Sequence, residues 1–364
     1  MARLLIALAI LLASGSALAD DRIQTVTLAR GLEFPWSLAF LPNGDMLVTE
    51  RAGRLRLIQG GELVQEPIIG VPDVFDNTQG GLFDVVLHPE FVTNRLIYLS
   101  YASGNVVLNR TTITRARLSD DARELEDAEV IFRARAGKAG GAHYGGRMVF
   151  LADGTLLLTI GEGFIRREQA QDPDNHFGSI VRLNDDGSPA DGNPFAEDGD
   201  AAVWTIGHRN AQGIAIEPVS GEVWAHEHGP QGGDEVNRII AGANYGWPER
   251  SNGINYNDSD IDNHEDGDGF EQPLVFWTPS IAPSGMAFYT GEAFPEWTGD
   301  LFVGALAGQH LRRLDIEDGE IIAQDILLDD LETRIRDVRD GPDGFLYVLT
   351  DDLEGSVLRL EPAD

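Results

Sequence analysis

Four short clusters carry the residue types that a reaction needs. The first, Gly140-Gly141-Ala142-His143-Tyr144-Gly145-Gly146-Arg147, sets one imidazole among glycines directly ahead of an apolar strand. Imidazole exchanges a proton near neutral pH, and glycine lets a ligand approach the backbone closely. Glu162 follows at the far end of the same predicted hairpin. Both ends of a hairpin meet at one edge, so Glu162 is placed to hydrogen-bond His143 and raise its basicity. The second cluster is Gly207-His208-Arg209-Asn210, again just before a strand. The third runs from Glu227 to Glu235 and joins acidic side chains to Gly229-Pro230 carbonyls in a tight turn. Such oxygen-rich, irregular backbone suits calcium. Zinc suits it less, because His226 and His228 alternate along a strand and point to opposite faces. The fourth is Thr333-Arg334-Ile335-Arg336-Asp337, whose two arginines share a strand face and make a double guanidinium for carboxylates. Singly, a loop histidine is commonly just solvated and an arginine salt-bridged. Four clusters at equivalent strand openings favour one shared site.

The elements that must bring them together come from an internal repeat. A short apolar strand, a turn rich in Pro, Asp, Asn or Gly, and a second apolar strand recur six times, opening near Trp36, Leu82, Arg147, Gln212, Ser284 and Arg336. Turns such as Pro-Asn-Gly, Ala-Asp-Gly and Pro-Asp-Gly set the reversals. Alternating segments such as Arg54–Ile58 and Ser356–Leu360 supply a third, half-exposed strand. The pattern predicts an all-β six-bladed β-propeller with mostly four-stranded antiparallel blades, in a single domain over residues 20–364. A sandwich array or a β-solenoid are the alternatives. Thr25–Leu28 is expected to close the ring by joining the last blade, which would otherwise leave an edge unpaired. Repeat spacing exceeds the usual ~40–50 residues around 162–195 and 244–280, where insertions are expected to build the functional face. Residues 258–269, within the second insertion, lack the EF-hand ligand order and read as an acidic surface loop.

Composition narrows the partners. The formal charge of −33 repels nucleic acid and anionic lipid. There is no cysteine, so thiolate chemistry and disulfides are excluded. Arg3, the apolar run from Leu4 to Ala13 and Ala17-Leu18-Ala19 read as a signal peptide over residues 1–19, which implies a periplasmic or secreted protein. No later segment is apolar for long enough to span a membrane.

Taken together, the motifs resemble the soluble PQQ-dependent glucose and aldose sugar dehydrogenases. The resemblance runs from about Leu32 to Leu360. It rests on Gln79-Gly80-Gly81-Leu82, Phe83 to Pro89, the His143 loop, Gly207 to Gly213, His228-Gly229-Pro230 with Asp234-Glu235, Asn244 to Pro248, and Arg334 to Val338. It implies oxidation of an aldose at the anomeric carbon to a lactone, with PQQ and Ca2+ as cofactors, an external electron acceptor, and a monomer or homodimer. It implies His143 as base, Arg209 as the cation facing the reduced quinone oxygen, and Asn210, Gln79, Tyr256, Arg334 and Arg336 around the cofactor. Gly229 and Pro230 carbonyls would hold the cofactor's calcium, and Glu235 and Tyr245 a structural one. Two departures stand out: Ala307 occupies a position where the family commonly has a cofactor-binding lysine, and His228 replaces a glutamine. A non-enzymatic binding propeller and a calcium-dependent lactonase are the competing readings.

Overall fold

The computed structural model describes residues 22–135 and 137–363. The expected signal segment lies outside the described residues. Six four-stranded antiparallel sheets follow one another around a ring. Their innermost strands are Pro35–Phe40, Leu82–Leu87, Met148–Phe150, Ala211–Ile216, Pro283–Phe288 and Ile335–Asp340. In blades 1 to 5 the chain then steps outward strand by strand. Blade 6 is completed differently: its outermost strand is Ile23–Leu32, which pairs with Gly355–Pro362 from Ile23↔Pro362 to Leu32↔Gly355. The expected strand thus closes the ring.

Turn chemistry explains the hairpins. Gly44, Gly154 and Gly344 adopt positive φ at +88°, +83° and +82° in three equivalent reversals. That conformation suits glycine because it has no Cβ. Each reversal is clamped by the same bond, Leu41 N to Asp45 O, Leu151 N to Thr155 O and Gly341 N to Phe345 O, all 2.8 Å.

The core is six seams rather than one centre. Leu47, Leu55 and Leu57 of blade 1 pack on Leu82, Val85 and Leu99 of blade 2. Similar apolar clusters fill the other joints, round to Val357 and Leu349 of blade 6 against Leu38 and Val48 of blade 1. The axis, in contrast, is ionic. Arg147 lies 2.9 Å from Asp337 and 3.5 Å from Asp84, and Arg339 lies 2.8 Å and 3.0 Å from the same two carboxylates. Buried charges survive there because each is paired.

Five of the six inner strands break register near their first residues, between Pro35 and Ser37, Leu82 and Val85, Ala211 and Gly213, Pro283 and Met286, and Ile335 and Asp337. Bulges re-aim side chains and free backbone groups. They line up at one mouth of the ring, where all four sequence clusters also lie.

Candidate active site

His143 is held from three sides. Its N–H donates to Gln79 Oε1 at 2.8 Å, its Nδ1 meets Glu162 Oε1 at 2.9 Å, and its ring meets the edge of Phe164 with 5.2 Å between centroids. Its backbone sits at φ +53°, a left-handed conformation that a non-glycine residue holds only when its surroundings impose it. Gly161 permits this, since a Cβ there would come within 2.6 Å of the His143 carbonyl carbon. Burial pushes the His143 pKa below its ordinary value; the Glu162 hydrogen bond opposes that, and the Arg209 charge adds to it. A neutral imidazole that donates Nδ1–H to a carboxylate presents the Nε2 lone pair as a proton acceptor.

Blade 4 supplies the cation. Arg209 donates to the His228 carbonyl and to the Tyr256 hydroxyl, both at 3.0 Å, and its guanidinium faces the Trp247 ring at 5.2 Å. Its Nε has no hydrogen-bond partner among the described residues. Glu227 anchors this loop by accepting from the Arg209 N–H and by pairing with His208 Nδ1 at 2.7 Å. His208 is further fixed by Thr205 and by stacking on Tyr245, so it is a structural member. Asn210 Oδ1 accepts from Gly145 N at 3.1 Å and ties the His143 loop to blade 4.

Between these groups and blade 6 lies a hollow of about 290 Å³, lined by Trp36, Gln79, Tyr144, Asn210, Arg334 and Arg336 among others. It sits at the lower end of the roughly 300–1,000 Å³ typical of small-molecule sites. Arg334 and Arg336 both reach Asp351, at 2.7 and 3.1 Å, so two guanidinium groups share one carboxylate. Arg51 adds a third cation to the lining, and its Nε also lacks a hydrogen-bond partner. Three guanidinium groups against two carboxylates (Asp351 and, 3.8 Å from Arg51, Asp76), the unbonded Arg51 Nε and the Trp36, Phe83 and Tyr144 rings fit a flat, anionic ligand. A second hollow of about 320 Å³ opens beyond Arg209, lined by Glu162, Phe164, Pro230, Trp247 and Tyr256. Both long insertions contribute to its wall. A larger depression of about 760 Å³ lies at the opposite mouth, far from His143, and contains no histidine.

The remaining predicted positions fall as follows. Tyr256 is 61% exposed at the outer rim, tethered by Arg209. Ala307 is an exposed turn residue next to cavity-lining Leu306 and brings no charge. His228 points Nε2 at the Pro283 carbonyl, 2.6 Å away, and also lines the first hollow. The Gly229 and Pro230 carbonyls carry no backbone hydrogen bond among the described residues, while Asp234 is spent on Gly229 N and Ala282 N. Glu235 is buried near Glu227 and Asp234; desolvation first, then that repulsion, push its pKa up to about 8. The Tyr245 hydroxyl is consumed by Arg238 O and Ile240 N. No group of three or more acidic or histidine side chains converges as a metal cage among the described residues. Any cation here would therefore rest largely on carbonyl oxygens. Asp351, Arg51 and Phe164 were not singled out in the sequence, and Trp247 entered only as part of the Asn244–Pro248 motif, although Asp351 ends the hairpin that Arg334 and Arg336 open and could have been placed by the rule that pairs His143 with Glu162.

The fold and the site define a six-bladed propeller with a histidine–carboxylate pair beside an arginine-lined hollow, and comparison with known proteins gives the class. Residues 32–359 match the family described as Glucose / Sorbosone dehydrogenase. The chain is 43% identical to aldose sugar dehydrogenase YliI of Escherichia coli, over 94% of each chain. Among solved structures, the soluble aldose sugar dehydrogenase of Escherichia coli in its apo form superposes with a TM-score of 0.90 at 44% identity, covering 93% of this chain and 99% of that one. The PQQ-bound aldose sugar dehydrogenase of Streptomyces coelicolor superposes at 0.78 with 28% identity, covering 94% and 99%. The chain belongs to the soluble PQQ-dependent aldose and glucose dehydrogenase family.

Proposed function

We propose that the protein oxidises aldose sugars at the anomeric carbon to lactones, using PQQ and Ca2+ and passing electrons to an external acceptor. The observation that carries this reading is the His143–Glu162 pair: His143 bonds Gln79 and adjoins Tyr144, both of which line the arginine-rich hollow, and Glu162 lines the second hollow with Arg209. His143 Nε2 takes the proton of the anomeric hydroxyl. Glu162 stabilises the imidazolium that forms and holds the ring in place. Bound PQQ supplies the carbonyl that accepts the hydride from the anomeric carbon. Arg334, Arg336 and Arg51 offset the cofactor's carboxylates, and Arg209 offers the cation for charge growing at the acceptor oxygen. Asn210, Gln79 and Tyr256 complete its surroundings. The free Gly229 and Pro230 carbonyls would hold a calcium ion, which supplies Lewis acidity. Glu235, buried beside two other carboxylates, would gain most from a second cation, for which Tyr245 would supply a further ligand. The enzyme would work in the periplasm or outside the cell, once residues 1–19 are removed.

The test is reconstitution of purified protein with PQQ and Ca2+, a panel of aldoses and an artificial electron acceptor. His143→Ala is expected to lower kcat by about 10²–10⁴-fold while PQQ titrates as in the parent, because the base acts on substrate. Undiminished turnover in that variant would refute the assignment.

A further inference from the structure

The chain contains 26 arginines and one lysine, Lys138. That lysine is 3% exposed, and its Nζ has no hydrogen-bond partner among the described residues. It lies 3.7 Å from the centre of the Tyr144 ring, next in sequence to the candidate base. Glu162 is the carboxylate that acts on it, and the second oxygen of Glu162, Oε2, also lacks a hydrogen-bond partner. The site is shaped for this side chain. Gly163, at φ +75°, would place a Cβ 2.3 Å from Lys138 Cδ. The two glycines flanking Glu162 therefore make room for different neighbours, Gly161 for His143 and Gly163 for Lys138.

We propose that Lys138 is a positioning residue for the reaction, its buried ammonium opposing proton uptake by His143 so that Nε2 stays free. The inference rests on the reading of His143 as base. Glu162 alone would draw a proton onto the imidazole; a cation on the other side of the carboxylate opposes that. Few other charges intervene. Glu162 faces Lys138, whereas Glu162, Arg209 and His228 face His143. Arg110, whose guanidinium lies against Gly137, is turned to the Ala134 carbonyl. The choice of lysine is informative in a chain that otherwise uses arginine. A buried ammonium can release its proton, whereas a guanidinium does not. Burial brings the Lys138 pKa down to about 8, against the pull of Glu162.

A single lysine allows a direct test. Protein labelled with 13Cε-lysine should give one side-chain resonance whose shift follows the Lys138 proton. Its midpoint should lie well below that of a free lysine, and Glu162→Gln should lower it further by about one pH unit. In the reconstituted enzyme, Lys138→Met should move the acid limb of the kcat/KM profile up by about one pH unit, a roughly tenfold loss below the limb. Lys138→Arg should restore the parent limb. A lysine midpoint indifferent to Glu162→Gln overturns the proposal even if Lys138→Met does not fold. So does an unshifted profile in Lys138→Met when the parent enzyme is active. An inactive parent enzyme would instead overturn the dehydrogenase reading, and the resonance would still report on the Lys138–Glu162 coupling.

Discussion

The histidine proposed as base needs a partner, an orientation and a dry setting, and they reach His143 from two stretches of chain. Glu162 provides the first, Gln79 the second and Phe164 the third. The His143–Glu162 pairing was legible because the two residues end one hairpin, so local geometry brings them together. Lys138 and Arg51 were not, because their partners lie across a blade joint or around a loop that no period encodes, whereas Asp351 ends the hairpin that Arg334 and Arg336 open and was readable by the same rule. The arginine pair shows both sides. Alternation along a strand suggested that Arg334 and Arg336 act together, yet the register shift between Ile335 and Asp337 falls on them, and the carboxylate they share closes the same hairpin at the end of its second strand. Arg334 is the more solvent-facing of the two. Its replacement by Ala is expected to weaken PQQ binding by about 10–100-fold, the value of a lost charge-assisted contact. Fluorescence titration of the apoprotein checks this; an unchanged curve would remove Arg334 from the cofactor's surroundings.

Paired strands show how packing fixes a protonation state. Gly213 on the inner strand of blade 4 leaves the space that His226 on the next strand fills, and neither His226 ring nitrogen has a partner among the described residues. Burial holds the His226 pKa well below its ordinary value of 6.5, and the charges of His228 and Arg147 act in the same direction. Below pH 6.5 the unfolded chain therefore takes up a proton that the folded chain refuses, so stability falls as pH drops through that window and is unaffected above it. The contribution reaches at most about 1.4 kcal/mol per pH unit. Thermal unfolding between pH 7.5 and 5 should show a falling Tm in the parent and a flatter profile in His226→Leu. Parallel profiles would count against this origin. Strand order and hairpin turns could be read from the sequence, since both depend on local alternation and turn residues. The bulges could not, because each is a property of a pair of strands.

Across the whole molecule, the six repeats gave the number of blades, and the acidic composition gave the character of the surface. What repeats do not reveal is that stability is distributed over six equivalent seams. One seam depends on a strand from the other end of the chain: Ile23–Leu32 completes blade 6, and Ala29 and Leu32 pack with Val357 and Leu38. Deletion of residues 23–32 is expected to lower Tm and abolish PQQ binding together, since blade 6 also carries Arg334 and Arg336. Retention of PQQ binding by the truncated protein would show that the ring holds without its clasp.

That same pairing sets an order of events during synthesis. The strand Ile23–Leu32 cannot find its partner until residues 355–362 have been made, some 330 positions later. Such a distant contact is slow to form. The nascent protein must therefore travel with one sticky edge exposed and no finished pocket, so competence to capture a cofactor arrives only once residues 355–362 have been made.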